Sequence, residues 1–343
     1  MDLYVTFIGT AASVPSAARG TSATLISRGG DRWLVDCGEG TQRQLLRSGL
    51  GLVDLDLILV THLHLDHYLG LPGLLKTYGL RGRERPLRIG GPRGLARLVD
   101  RLRPVFGRTP FPLEIADWDP GTVWRTDGAR IDAFPTEHGV PSLGYALVEE
   151  SRPGAFDVDA ARALGIPPGP LYGRLQRGEE VTLDDGRVIR PDEVVGEARQ
   201  GRTVVITGDT RPCAATLVAA KGASLLVHEA TFVDEDADRA ADTRHSTAAQ
   251  AAAVARDAGV DLLALTHIST RHHPREVREE AERVFDRVHV ARDFDQVEIP
   301  FRERGGPVVR SLRDRSAAAP PAPPAGPPDE APDPRATVAA DDL

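Results

Sequence analysis

Apolar positions in this 343-residue chain come in short unbroken runs, and several runs end on a side chain that can bind a metal. Leu57-Ile58-Leu59-Val60 leads to Thr61-His62, and Val204-Val205-Ile206-Thr207 leads to Gly208-Asp209. Leu225-Leu226-Val227 leads to His228-Glu229, and Leu262-Leu263-Ala264-Leu265 leads to Thr266-His267. Continuous apolar runs of this length predict strands covered on both faces. Residues 129–134 alternate instead, and 145–148 predict a further strand. Helical patterns lie between. The clearest opens at Ser246-Thr247, where Thr247 and Gln250 have capping-box spacing, runs through 251–258 and stops at Gly259. Strands and helices mixed in this way predict a layered α/β fold with several strand ends gathered at one edge.

Two stretches break the pattern. Pro167-Pro168-Gly169-Pro170 interrupts any regular element, and Asp185-Gly186 separates Val181-Thr182-Leu183 from Val188-Ile189 as a hairpin turn. Residues 151–195 are therefore expected to form an inserted, projecting arm. Residues 316–343 hold eight prolines and nine alanines with no apolar period, which predicts a disordered Pro/Ala-rich tail and a folded body over 1–312.

Apolar residues make up 41% and charged ones 27%, a soluble balance, and the absence of any run of 18 apolar residues argues against a membrane span. The first residues, Met1 to Phe7, do not read as a secretory leader. Cys37 and Cys213 cannot build a disulfide framework, so a reducing, cytoplasmic home is expected, with both thiols as small buried residues. The net charge of −8 weighs against a nucleic-acid partner. Residues 76–108 are an exception, with ten basic side chains against two acidic ones. Nearly all are arginines, which suit bidentate phosphate contacts. A general preference for arginine accounts for them equally well, since the chain holds only two lysines.

The most specific signal is Thr61-His62-Leu63-His64-Leu65-Asp66-His67. His62 and His64, two apart on extended backbone, can point the same way, while Asp66 and His67 begin the next turn and face a second position. Imidazole and carboxylate donors in this mixture suit ions of the zinc type. Four such groups cannot complete two coordination spheres. His138 after the alternating strand, and Asp209 and His267 at strand ends, supply the rest, with Asp209 able to bridge two metals.

This order of residues resembles the metallo-β-lactamase superfamily, and within it the short form of the ribonuclease Z family. The resemblance spans about residues 1–300. It rests further on Asp36-Cys37-Gly38-Glu39-Gly40-Thr41-Gln42, Gly70-Leu71-Pro72-Gly73, Pro167-Pro168-Gly169-Pro170-Leu171, His228-Glu229-Ala230-Thr231-Phe232 and His245-Ser246-Thr247. It implies an αββα sandwich and a homodimer whose arm grips precursor tRNA for the partner subunit. It also implies two Zn²⁺ per subunit, with Mn²⁺ or Fe²⁺ as alternatives. His62, His64, His138 and Asp209 would hold one ion, and Asp66, His67, Asp209 and His267 the other. Asp66 would be the proton acceptor for the attacking water and His245, oriented by Glu229, the donor to the leaving 3′-oxygen. His228 would stand behind the ligands, and Asp36 would fix a ligand imidazole. His272, His273 and His289 receive no role. The family's Pro-x-Lys-x-Arg-Asn loop corresponds to Pro15-Ser16-Ala17-Ala18-Arg19-Gly20, in which Ala17 and Gly20 replace the Lys and Asn.

The expected activity is removal of the 3′ trailer of precursor tRNA, leaving a 3′-hydroxyl tRNA and a 5′-phosphate trailer. A phosphodiesterase of the same superfamily acting on small cyclic nucleotides would share the metals without needing the arm. A non-catalytic RNA-binding scaffold would not need the full ligand set, and a diiron redox protein of this fold usually carries a carboxylate where His64 stands.

Overall fold

The apolar runs form strands whose alternate residues face two different cores, and that alternation produces the layers. Trp33, Val35, Leu57, Leu59, Val204, Ile206, Leu225 and Val227 pack together between two sheets. Leu34, Ile58 and Val60 point the other way, onto helices Thr41–Arg47, Leu71–Leu80 and Leu95–Phe106. Val205, Leu226, Leu263 and Leu265 likewise meet helices Ala214–Ala220, Ala248–Ala258 and Pro274–Glu282. The result is the expected αββα sandwich. The computed structural model describes residues 1–313, so the tail expected over 316–343 lies outside the described residues.

The first sheet has eight strands, in the order Val308–Ser311, Asp295–Glu298, Leu3–Gly9, Ala23–Arg28, Asp31–Val35, Leu57–Leu59, Leu87–Gly91 and Leu113–Asp117. The second has seven, in the order Val288–Val290, Leu263–Thr266, Leu225–Glu229, Thr203–Ile206, Leu143–Glu149, Ala129–Pro135 and Gly121–Thr126. Strands from Asp31–Val35 to Leu113–Asp117 pair in parallel, as do those from Thr203–Ile206 to Val288–Val290. Parallel strands present their C-terminal ends at a common edge, where open α/β sheets bind ligands. Two antiparallel pairings turn Ala129–Pro135 the same way, so His138 reaches that edge as well. Thr247 caps its helix as its spacing predicts: its hydroxyl accepts from the Gln250 amide at 3.2 Å, and Gln250 accepts from the Thr247 amide at 3.0 Å.

Between Arg152 and Arg199, which pair as a β-bridge, the chain forms helices Val158–Ala163 and Pro170–Gln176 and the hairpin Val181–Thr182/Val188–Ile189. These surround their own small core of Ala161, Ile166, Leu175, Val181, Ile189 and Val194. The segment leaves the sheet after Glu149 and rejoins it at Thr203, the edge opposite the strand ends described above.

In the Arg-rich 76–108 stretch several guanidiniums have partners in the fold. Arg83 is buried on Asp54 and on the carbonyls of Leu55 and Pro86, and Arg85, Arg88 and Arg103 pair with Asp56, Glu114 and Asp100. Among the described residues no helix is long and apolar enough to cross a membrane.

At the root of the inserted segment, Glu149 is buried between two arginines: Arg28 Nε lies 2.9 Å from Oε1, and Arg202 donates to both oxygens at 2.7 Å. Arg202 also donates to the Met1 and Ile299 carbonyls, so the cluster ties both sheets to the chain start. Burial favours the neutral acid, but the hydrogen bonds from Arg202 and Arg28 outweigh it and hold the carboxyl below its ordinary value. A group depressed on folding contributes its full stability above its free pKa and loses it as pH falls through that range. Glu149→Ala should cost about 3–5 kcal/mol in urea unfolding at pH 7, since two buried cations lose their partner. The difference from wild type should shrink as the pH is lowered toward 3–4, where unfolded-chain carboxylates protonate, about 4.3 for Glu.

Candidate metal centre

Past the strand Leu57–Leu59 the backbone stays extended to His64, which precedes the one-turn helix Leu65–Tyr68 with φ −81° and ψ 149°. His62 Nε2 and His64 Nδ1 consequently lie 3.0 Å apart, and His138 Nε2 is 3.1 Å from the same Nδ1. Asp66 and His67 open the helix and face a second point. Asp66 Oδ2 is 3.4 Å from His67 Nε2 and 3.3 Å from His267 Nε2. Asp209 stands between the groups: its Oδ2 is 3.7 Å from Nε2 of both His62 and His138, 3.4 Å from His67 Nε2 and 3.3 Å from His267 Nε2. All seven residues singled out from the sequence as possible ligands thus converge in one cluster with two lobes and a shared carboxylate.

The outer nitrogens reveal where the protons are. His138 Nδ1 lies 3.2 Å from the Arg244 carbonyl, which can only accept. His67 Nδ1 lies 2.7 Å from Asp36 Oδ2. Thr61 gives its hydroxyl proton to Asp36 at 3.0 Å and so accepts from His62 Nδ1 at 3.1 Å. Thr231 does the same on the other side, donating to Glu229 Oε2 at 2.6 Å and accepting from His267 Nδ1 at 2.9 Å. In its neutral form, each of these four imidazoles carries its proton on the outer nitrogen and has a lone pair on the inner one to offer a cation. His67 Nε2 is buried with no hydrogen-bond partner. Burial on its own would discharge His67, yet the Asp209 and Asp36 carboxylates raise its pKa well above the ordinary imidazole value. Lone pairs about 3 Å apart, an orphaned buried nitrogen and two carboxylates are a donor set that fits divalent cations of the zinc type.

Beside the cluster, Glu229 Oε1 accepts from His245 Nδ1 at 2.7 Å and from the Thr210 amide at 2.8 Å. Burial opposes charge on His245, but the Glu229 carboxylate raises its pKa to about 9. The His245 ring stacks against that of His267, with centroids 5.5 Å apart.

Backbone strain gathers here. Asp36 and His267 are non-glycine residues with φ of 61° and 55°, a conformation that costs about 1–3 kcal/mol each. Gly208 turns the chain at φ 63° before Asp209, and a Cβ there would lie 2.7 Å from Thr61 Cβ. Only glycine lets the two strand ends approach so closely.

Some sequence expectations need correction. His228 shares a strand face with Leu226, on the helix side, and its Nδ1 contacts the Glu229 carbonyl rather than any ligand. Glu229, one residue on, takes the face toward the cluster. Cys37 is buried, which pushes its thiol up to about 12, whereas Cys213 is only partly buried because it starts a surface helix. Of the histidines without a role, His289 pairs with Asp295 at 2.9 Å, His272 with Asp236 at 3.2 Å, and His273 caps a helix. Sequence reasoning missed the part played by Thr61 and Thr231. It also missed Asp293, which accepts from Thr10, the Gly20 amide and Gln44 at 2.6–2.7 Å and braces the loop carrying Arg19. A threonine directly before His62 and one two residues past Glu229 were the only available hints.

Residues 17–143 match the metallo-beta-lactamase superfamily. The chain is 51% identical over 308 residues to ribonuclease Z of Gemmatimonas aurantiaca, which covers 88% of this chain and 98% of that protein. Ribonuclease Z of Haloferax volcanii is 49% identical over 311 residues, covering 89% and 98%. The chain belongs to the ribonuclease Z family. The crystal structure of the short form of human tRNase Z superposes with a TM-score of 0.63 at 29% identity, covering 87% of this chain and 99% of that one. Membership in this metal-dependent hydrolase family agrees with the lone pairs turned inward at the cluster.

Thr231→Val keeps the side-chain shape but removes the hydroxyl that orients His267. It should weaken divalent-metal binding about 10- to 100-fold, read by chelator competition and by metal content of the purified protein. Unchanged affinity would mean that the hydroxyl does not set the imidazole.

Proposed function

We propose that this chain is a zinc-dependent endoribonuclease that removes the 3′ trailer of precursor tRNA, leaving a 3′-hydroxyl tRNA and a 5′-phosphate trailer. The observation that carries the reading is the two-lobed cluster around Asp209 Oδ2, in a chain nearly half or more identical to named ribonucleases Z along most of its length. His62, His64, His138 and Asp209 hold one ion, and Asp66, His67, Asp209 and His267 hold the second. When bound, zinc supplies Lewis acidity for a phosphodiester and acidifies water toward neutral pKa.

The remaining roles belong to the chain. Asp66, anchored by the Ser13 amide at 3.0 Å, orients the attacking water and takes its proton. His245 donates to the leaving 3′-oxygen. Glu229 serves it by fixing Nδ1 as the hydrogen-bonded nitrogen, leaving Nε2 as the one that delivers the proton. The 152–199 segment is the tRNA-binding arm. Its root at the edge opposite the metal centre supports a homodimer in which one subunit's arm holds the tRNA that its partner cuts.

Incubating the protein with a 3′-extended precursor tRNA should give a single metal-dependent cut at the 3′ end. Asp66→Ala should lower its rate about 10²–10⁴-fold, the worth of a positioned acid–base group. Joining Ser151 to Gln200 through two glycines should reduce kcat/KM on precursor tRNA by about 100-fold or more, because remote binding energy is lost. Hydrolysis of bis-p-nitrophenyl phosphate, which has nothing for the arm to hold, should persist. An arm-deleted protein that still cuts precursor tRNA at the wild-type rate would overturn the arm's role, and a wild-type protein that hydrolyses the small diester but leaves precursor tRNA intact would favour the small-diester reading.

A further inference from the structure

Outside the metal centre, a cavity of about 500 Å³ is lined by Arg19, His273, Arg275, Arg278, Arg292 and Arg313 together with small and apolar residues. No carboxylate is among the described residues lining it. Glu279 pairs with Arg275 at 2.7 Å from the helix face, and Asp293 lies behind the wall on Thr10, Gly20 and Gln44. Asp295 receives the Arg292 backbone amide at 3.0 Å and His289, not a lining guanidinium. The positive end of helix Pro274–Glu282 also faces the opening. Burial works against the charge of Arg19; Asp293 and, less strongly, Asp295 counter this, while Arg292 and Arg313 add repulsion. Arg19 is held by Thr10 and the Ala291 carbonyl and Arg275 by Glu279, so the charge an anion would meet at the hollow is chiefly that of Arg278 and Arg292.

The cavity adjoins the cutting site through one loop. Ser13 donates to Asp66 at 3.0 Å, and Ala12 donates to the carbonyl of Ile268, next to His267, at 3.2 Å. Ala11 then donates to the Gly20 carbonyl at 2.8 Å, and Arg19 reaches Thr10 and the Ala291 carbonyl from the cavity side. The loop that supports Asp66 on one face therefore presents Arg19 to the cavity on the other. A hollow of this size admits about one nucleotide of single strand, whereas a duplex needs a broader surface.

Resting on the tRNA reading above, we propose that this cavity binds a backbone phosphate of the single-stranded 3′ trailer and so guides the strand leaving the metal centre. The arginines supply charge and paired N–H donors for a phosphate. The contact reads length and charge, not base sequence.

The test compares wild type with Arg278→Glu/Arg292→Glu on two precursor tRNAs, one with a trailer of about 15 nucleotides and one with a single extra nucleotide. On the long trailer the double variant should raise KM about tenfold, and the slope of log kcat/KM against log salt should fall by about one to two. The one-nucleotide substrate should be cut with KM within about twofold of wild type. Metal content and the thermal unfolding midpoint check folding, and the single variants Arg278→Gln and Arg292→Gln serve if the double variant fails to fold. Equal KM increases on both substrates, or no increase on either, would overturn the proposal. Wild-type protein that cuts neither substrate would instead overturn the tRNA reading itself.

Discussion

The site depends on a concentration of electron pairs at one point. Asp209 Oδ2 lies 3.3–3.7 Å from four imidazole nitrogens, and His64 Nδ1 lies 3.0–3.1 Å from two of those four, on His62 and His138. Lone pairs and carboxylate charge at such separations repel unless positive charge stands among them. The surrounding fold must hold them there before any cation arrives. It does so by ending strands of both parallel arrays at one edge, each delivering a donor at the point where its regular hydrogen bonding stops.

The two halves of the site use the same device. In one, Asp36 and Thr61 hold His67 and His62; in the other, Glu229 and Thr231 hold His267. In both, a carboxylate at a strand end takes a threonine hydroxyl proton, which frees that oxygen to accept from an imidazole. The direction of each hydrogen bond fixes a tautomer, and the tautomer turns a lone pair inward. The left-handed backbone of Asp36 and His267 coincides with these bonds, each residue being held through its side chain. A rigid frame of this kind suits chemistry in which metal positions must not drift by a fraction of an ångström.

Much of the centre was legible in the chain. His62, His64, Asp66 and His67 sit within six residues, so covalent spacing alone limits where they can point. His138, Asp209 and His267 were marked by the apolar patterns that precede them. The orientation of His228 was not legible: a strand buried on both faces has no polar side to show which residue faces which core, and Glu229 rather than His228 took the inner face. Nor could the Arg-rich 76–108 stretch be judged from its own residues. The partners of Arg83, Arg85 and Arg88 are Asp54, Asp56 and Glu114, which lie outside it.

By itself the sequence determined the strand and helix periods, the donor types and their local spacing, the hairpin within the inserted segment and the cap at Thr247. These are short-range properties, set by backbone geometry and side-chain chemistry over a few residues. Only the tertiary structure decided that Thr61 and Thr231 set the tautomers, that Asp293 braces the Arg19 loop, and that the inserted segment leaves from the edge opposite the candidate metal centre. Each joins residues far apart in the chain, and no periodicity records such a pairing because it exists only once two sheets pack face to face.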